Sequence, residues 1–200
     1  MKKQIVIIHG GDTFETYSEY IASLKGTVID SLASIMKVGW KDSLQEKLGP
    51  KYEVILPKMP NKANAKYLEW KIWFDKIVPL LDTRVILIGH SLGGIFLAKY
   101  LAENTIRNEI VATILIASPH SELASHYSLA DFVLPKDAHR FQQQAKKIFI
   151  YHSKDDYVVP FDSLQKYKEM LPTATVHVFE NRGHFNQETF DELVSLLKTL

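Results

Sequence analysis

The 200-residue sequence predicts an α/β fold, a three-layer sandwich in which a six-stranded parallel sheet carries helices on both faces. Three observations point to it. Short runs rich in Val and Ile alternate with longer stretches whose apolar residues recur at helical spacing, the pattern of repeated βαβ units. Several of those runs are continuous rather than alternating, as in Ile5-Val6-Ile7-Ile8, so the strands are expected to be covered on both sides. One run, Arg84 to Ile88, leads into Gly89-His90-Ser91-Leu92-Gly93, a sharp turn followed at once by a helical pattern. A single domain spanning 1–200 is expected, because the length suits one core and there is no linker, repeat or low-complexity tract.

In order, Ile5 to Ile8 is the first strand and His9-Gly10-Gly11-Asp12-Thr13 a turn. Glu15 to Lys25 reads as a helix closed by Gly26, and Val28 to Lys37 and Trp40 to Leu48 as two more, the last ended by Gly49-Pro50. Tyr52 to Leu56 is the second strand, followed by a loop through Pro57, Pro60 and Asn61. Ala65 to Leu81 is a long helix with Tyr67, Trp70, Phe74 and Ile77 on one stripe, expected to face the core. Val85 to Ile88 is the third strand, and the helix after the turn runs to about Glu103. Val111 to Ala117 is the fourth strand, Ser118 to Leu134 an irregular stretch, and Asp137 to Lys146 a short helix. Ile148 to Tyr151 and Thr175 to Phe179 are the fifth and sixth strands, with a helix from Pro160 to just before Pro172 between them. Phe190, Leu193, Val194 and Leu197 mark a closing amphipathic helix.

Composition narrows the function classes. The chain has 24 basic and 23 acidic residues, which gives no electrostatic case for nucleic acid. Absence of cysteine removes disulfides, thiol catalysis and cysteine-ligated metals. Only four aliphatic residues precede His9, too few for a signal peptide or a membrane span, so a cytoplasmic, soluble protein is expected. No Gly-x-Gly-x-x-Gly or phosphate loop suggests a nucleotide, and no cofactor is expected.

The chemistry lies in the turns just past the strands, the edge at which open parallel sheets bind ligands. Gly89 to Gly93 has the form of a nucleophile elbow, whose glycines allow a serine to be lifted off the sheet on a strained turn. Serine is a poor nucleophile without a base. His184, in Gly183-His184-Phe185, is the candidate base, and Asp156, in Asp156-Tyr157-Val158-Val159-Pro160, its orienting acid. Asp155 competes for that role, but Asp156 has the Asp-x-x-Val-Pro offset, and Asp155 is expected to be a surface or helix-entry charge. The order Ser, Asp, His is that of a hydrolase triad. The N–H groups of Leu92 and Gly11 are candidate oxyanion donors, and His9, Gly10, Asp12, His90 and Pro119 candidate substrate contacts. A metal held by His9, His90 and Asp156 lacks any ligand spacing and is not expected. His120, His126 and His139 are expected at the surface, the first two in reach of an entrance. An imidazole base predicts activity rising with pH through the ordinary histidine range, about 6.5.

These residues resemble a known family over nearly the whole chain. Val6-Ile7-Ile8-His9-Gly10-Gly11, Met59-Pro60-Asn61 with Trp70, Ile88 to Gly94, His152 to Asp156 through Pro160, and Gly183-His184-Phe185 are similar to the compact serine hydrolases named for a retinoblastoma-binding protein, which include bacterial members of the YdeN type. The resemblance implies an α/β-hydrolase fold without the usual N-terminal antiparallel hairpin and without a large cap, and a triad of Ser91, Asp156 and His184. The segment between the first two strands is longer than the family pattern by about one helix. The Leu-x-Cys-x-Glu retinoblastoma-pocket motif is absent, so that partner is not carried over. The expected substrate is a small acyl compound, and the expected state a monomer or weak homodimer with no membrane or nucleic-acid partner. Ester hydrolysis leads, with amidase, peptidase or acyl-transfer chemistry on the same triad, or a non-catalytic binding module, left open. The stretch Val28 to Leu48, with Ile35, Met36 and Trp40, either covers the acyl pocket or packs on the sheet.

Overall fold

The computed structural model describes residues 2–121 and 128–200. Six parallel strands form one sheet in the order β2-β1-β3-β4-β5-β6: β1 (Lys3–Ile8), β2 (Tyr52–Ile55), β3 (Arg84–His90), β4 (Glu109–Ile116), β5 (Ile148–Ser153) and β6 (Thr175–Phe179). Eight α-helices lie among the described residues: α1 (Tyr17–Gly26), α2 (Leu32–Ile35), α3 (Trp40–Leu48), α4 (Tyr67–Ile77), α5 (Leu92–Glu103), α6 (His139–Gln144), α7 (Asp162–Met170) and α8 (Asp191–Thr199).

The continuous apolar strands work because each face has its own cover. Val6, Ile8, Val85 and Leu87 point into one core, completed by Trp70 and Phe74 of α4, Phe96 of α5, Phe141 of α6 and Tyr167 of α7. Their neighbours Ile5, Ile7, Ile86 and Ile88 point the other way, into a core closed by Trp40 and Leu44 of α3 and by Leu193 and Leu197 of α8. Burying one such large side chain is worth about 1.5–3 kcal/mol, so the two layers together supply most of the drive to fold.

Strand order reverses at β1. The chain leaves β1 to form β2 on one side and returns to form β3 on the other. Such a switch point opens a crevice at the carboxyl ends of the two adjacent strands. The turns after β1 and β3, which hold Gly11 and Ser91, both open there.

The expected helices are shortened most in two places. The stripe read as a helix from Ala65 to Leu81 ends at Ile77 and continues as one 3₁₀ turn, Val78–Leu80, because Pro79 has no N–H to continue the ladder. The helix expected over Val28 to Lys37 is a single turn, Leu32–Ile35. Its apolar side chains find no surface: Val28, Leu32 and Met36 are 79%, 75% and 75% exposed, and an isolated helix of this length is unstable without packing. Of the Val28–Leu48 stretch, then, the α3 half packs on the sheet. His126 lies outside the described residues.

Candidate active site

The elbow is built by contact between backbones. A Cβ on Gly93 would come within 2.2 Å of the Ile8 carbonyl oxygen, and one on Gly89 within 2.4 Å of the Gly93 carbonyl oxygen. Only glycine lets β1, β3 and α5 approach so closely. Ser91 is held between them at φ 54° and ψ −125°, a conformation that is strained for any residue with a side chain. Its N–H donates to the Ile116 carbonyl at 2.8 Å, and its own carbonyl accepts from the Gly94 N–H at 2.8 Å.

The histidine and aspartate of the later loops meet. His184 Nδ1 lies 2.9 Å from Asp156 Oδ2 and 3.1 Å from Oδ1. Both side chains are withdrawn from water, at 8% and 0% exposure. Asp156 Oδ1 also accepts from the N–H groups of Val158 and Val159, each at 2.9 Å, which explains the Asp-x-x-Val offset. The pair is thus fixed by a turn rather than by packing alone. Asp155 is exposed, as expected, and it also braces the loop. Its Oδ1 accepts from Ser153 Oγ at 2.5 Å and from the Gly183 N–H at 2.9 Å, tying β5 to the His184 turn.

Ser91, Leu92, His184 and the whole β1 turn from His9 to Thr13 line one cavity of about 510 Å³, together with His90 and Pro119. Asp156 stands behind His184. Both ring nitrogens of His9 are committed to backbone, Nδ1 to the Gly10 carbonyl at 2.6 Å and Nε2 accepting from the Met59 N–H at 3.0 Å. His90 donates through Nε2 to the His184 carbonyl at 2.9 Å. These two histidines therefore border the cavity but hold its walls, and offer no free nitrogen pair for a metal. Among the described residues no three His, Asp, Glu or Cys side chains are arranged so that they could hold a metal ion. His139 is exposed. His120 is half-buried against the Tyr167 ring and lines a separate cavity, which corrects its expected place at the surface or this entrance.

The sequence reading missed the brace on the His184 loop. That loop leaves the sheet with Gly183 and Phe185 both at positive φ, 51° and 53°. The buried Trp40 indole N–H donates to the Phe185 carbonyl at 2.9 Å, and the Trp40 main-chain N–H to the Gln187 carbonyl at 2.9 Å. Ser43 Oγ donates to the Glu188 carbonyl at 3.2 Å. No spacing rule reveals this, because the partners are 145 residues apart. Trp40→Phe should keep the ring in the core and strand the Phe185 carbonyl, at about 1–3 kcal/mol of stability. A lower urea midpoint at unchanged m-value checks this, together with a fall in kcat larger than any rise in KM.

Burial sets the electrostatics. His9 is held below the ordinary imidazole pKa first by burial, against the pull of the Gly10 carbonyl, with Lys62 and Lys41 adding to the fall. His90 is held well below it by burial and by Lys41 and His184. Their unfolded counterparts titrate near 6.5 and so take up protons first as the pH drops. Their share of the stability is therefore complete above about pH 6.5 and declines below it. Urea midpoints at pH 7.5 and 5.5 should show the fall, and a midpoint that rises on acidification would contradict it.

A serine hydrolase family model matches residues 34–197. The chain belongs to the serine hydrolase family. Within that family it is similar to serine hydrolase RBBP9 of Rattus norvegicus, with 27% identity over 164 residues that cover 81% of this chain and 84% of the relative. It is also similar to the putative hydrolase YdeN of Bacillus subtilis (strain 168), at 24% identity over 131 residues, 65% of this chain and 68% of YdeN. The crystal structure of the B. subtilis ydeN product superposes with a TM-score of 0.79 at 20% identity, covering 99% of this chain and 98% of that one. A serine hydrolase involved in carbazole degradation superposes at 0.64 and 14% identity, over 99% and 90%. The serine hydrolase fold here is thus a compact α/β-hydrolase sheet, all parallel and six-stranded. No helix among the described residues is long and apolar enough to cross a membrane.

Proposed function

We propose that this hydrolase cleaves small carboxylic esters through an acyl-Ser91 intermediate, with His184 as base and Asp156 as its orienting partner. The observation that carries the reading is the His184–Asp156 contact at 2.9 Å beside the cavity that Ser91 lines. With Nδ1 engaged by Asp156, Nε2 is the nitrogen left to take a proton. Ser91 Oγ attacks the ester carbon, its proton passes to Nε2, and the imidazolium gives that proton to the departing alkoxide. Water then adds to the acyl-serine by the same relay, releasing the acid and restoring the serine. The Leu92 and Gly11 N–H groups receive the oxyanion, which α5 favours through the positive end of its dipole. A small acyl substrate suits a cavity of this size.

A fluorophosphonate probe should label wild-type protein at Ser91, and short p-nitrophenyl esters should be turned over. Labelling without ester turnover favours amide cleavage or acyl transfer. Absence of labelling favours a binding module and overturns the hydrolase reading.

A further inference from the structure

The cavity has a charge that the triad does not use. Its charged lining residues are Asp12, Lys41 and Lys62, one acid against two bases, in a chain whose 24 basic and 23 acidic residues otherwise nearly cancel. Neither lysine has a carboxylate within ion-pairing distance among the described residues. The acid beside Lys41, Asp42, is engaged elsewhere: its Oδ2 accepts from the Gly39 N–H at 2.9 Å as the cap of α3.

Both cations are held at the site by their backbones. Lys41 follows Trp40, whose indole is anchored to the His184 loop. Lys62 is joined to the β1 turn, where its carbonyl accepts from the Asp12 N–H at 2.8 Å and the Ala65 N–H donates back to the Asp12 carbonyl at 2.8 Å. Trp70 Nε1 fixes the same loop through the Pro60 carbonyl at 2.8 Å. One lysine thus stands on the base side of Ser91 and the other on the Gly11 side. Their charges are felt within the site. Burial pushes Lys41 down to about 8, eased by Asp42 and deepened by Lys62. Asp12 is raised by burial and only partly offset by Lys62. A partly desolvated ammonium with no contacting acid is stabilised by any anion that enters beside it.

We infer that Lys41 and Lys62 form an anion subsite, so that the preferred substrate carries a carboxylate away from the scissile bond. This inference rests on the hydrolase reading and names the substrate class of the same site. It requires no further catalytic group, because the added contact is to a part of the substrate that does not react.

The test compares kcat/KM for mono-p-nitrophenyl adipate with p-nitrophenyl hexanoate, and for a second pair that places the carboxylate or its methyl ester on the phenol. In the wild-type protein the anionic member of one pair should be preferred by about tenfold or more, the worth of a hydrogen bond to a charged group. The preference should shrink with added salt. It should fall toward unity in Lys41→Gln and Lys62→Gln, and invert in Lys62→Glu. Lys62 is exposed, so its variants carry little risk to folding. A ratio near unity in both pairs, in wild-type protein that the neutral fluorophosphonate labels, overturns the anion subsite alone. A preference that survives both glutamine variants overturns it as well. Failure of wild-type protein to label overturns the hydrolase reading and this inference with it.

Discussion

Replacing Ser91 with alanine is expected to lower turnover of a short p-nitrophenyl ester by about 10⁶-fold, close to the loss of the whole relay. The other hydroxyl side chains that line the cavity are already engaged. The chain has no cysteine, and His9 and His90 are bonded to backbone. The Thr13 hydroxyl donates to the Ser128 carbonyl, and the Ser128 hydroxyl to the Glu15 carboxylate. Alanine also removes fluorophosphonate labelling. The fold should survive, because the elbow is held by Gly89, Gly93 and the Ser91 N–H bond to Ile116, none of which needs the hydroxyl. Steady-state rates, with the urea midpoint as control, check the result. Substantial residual turnover in the alanine variant would show that the serine is not the nucleophile.

Asp156→Asn should cost about 10⁴-fold in kcat with little change in stability. The reason is specific to this turn. Asp156 Oδ1 accepts two main-chain N–H groups, from Val158 and Val159. An asparagine keeps those bonds only by placing its oxygen there, which turns its NH₂ toward His184 Nδ1. That nitrogen must then accept, so the ring carries its proton on Nε2 and can no longer take one from Ser91. Asp155→Asn provides the contrast, since its carboxylate braces Gly183 and does not touch the imidazole. Equal losses in the two variants would show that the aspartate acts only through loop structure.

Local chemistry made much of this molecule readable from its residues alone. Glycines flanking Ser91, a Val/Ile run before it and a helical stripe after it describe an event within about a dozen residues, and the structure places that event at β3 and α5. The four inner strands were legible for the same reason, since strands covered on both faces are nearly uninterrupted apolar words. What could not be read depends on partners distant in the chain. Trp40 reads from the sequence as part of a stretch that covers the acyl pocket or packs on the sheet, and its bond to the Phe185 carbonyl exists only because α3 and the His184 loop meet across the fold. Lys41 and Lys62 were invisible for the same reason, as isolated lysines in ordinary company. The single-turn α2 failed in the opposite sense: a helical apolar pattern was present, but no surface came to cover it. Pro79 was a local signal that the long stripe of α4 outweighed.

The helix that begins at Trp40 holds the backbone behind the imidazole and, one residue later, places Lys41 in the cavity wall with its ammonium over the Trp40 ring. On the proposed mechanism, alignment of the proton relay and choice of substrate are therefore mechanically joined in a segment that is no part of the sheet. A partial opening that frees this segment, with every strand still in register, would silence the enzyme and erase its selectivity in one event.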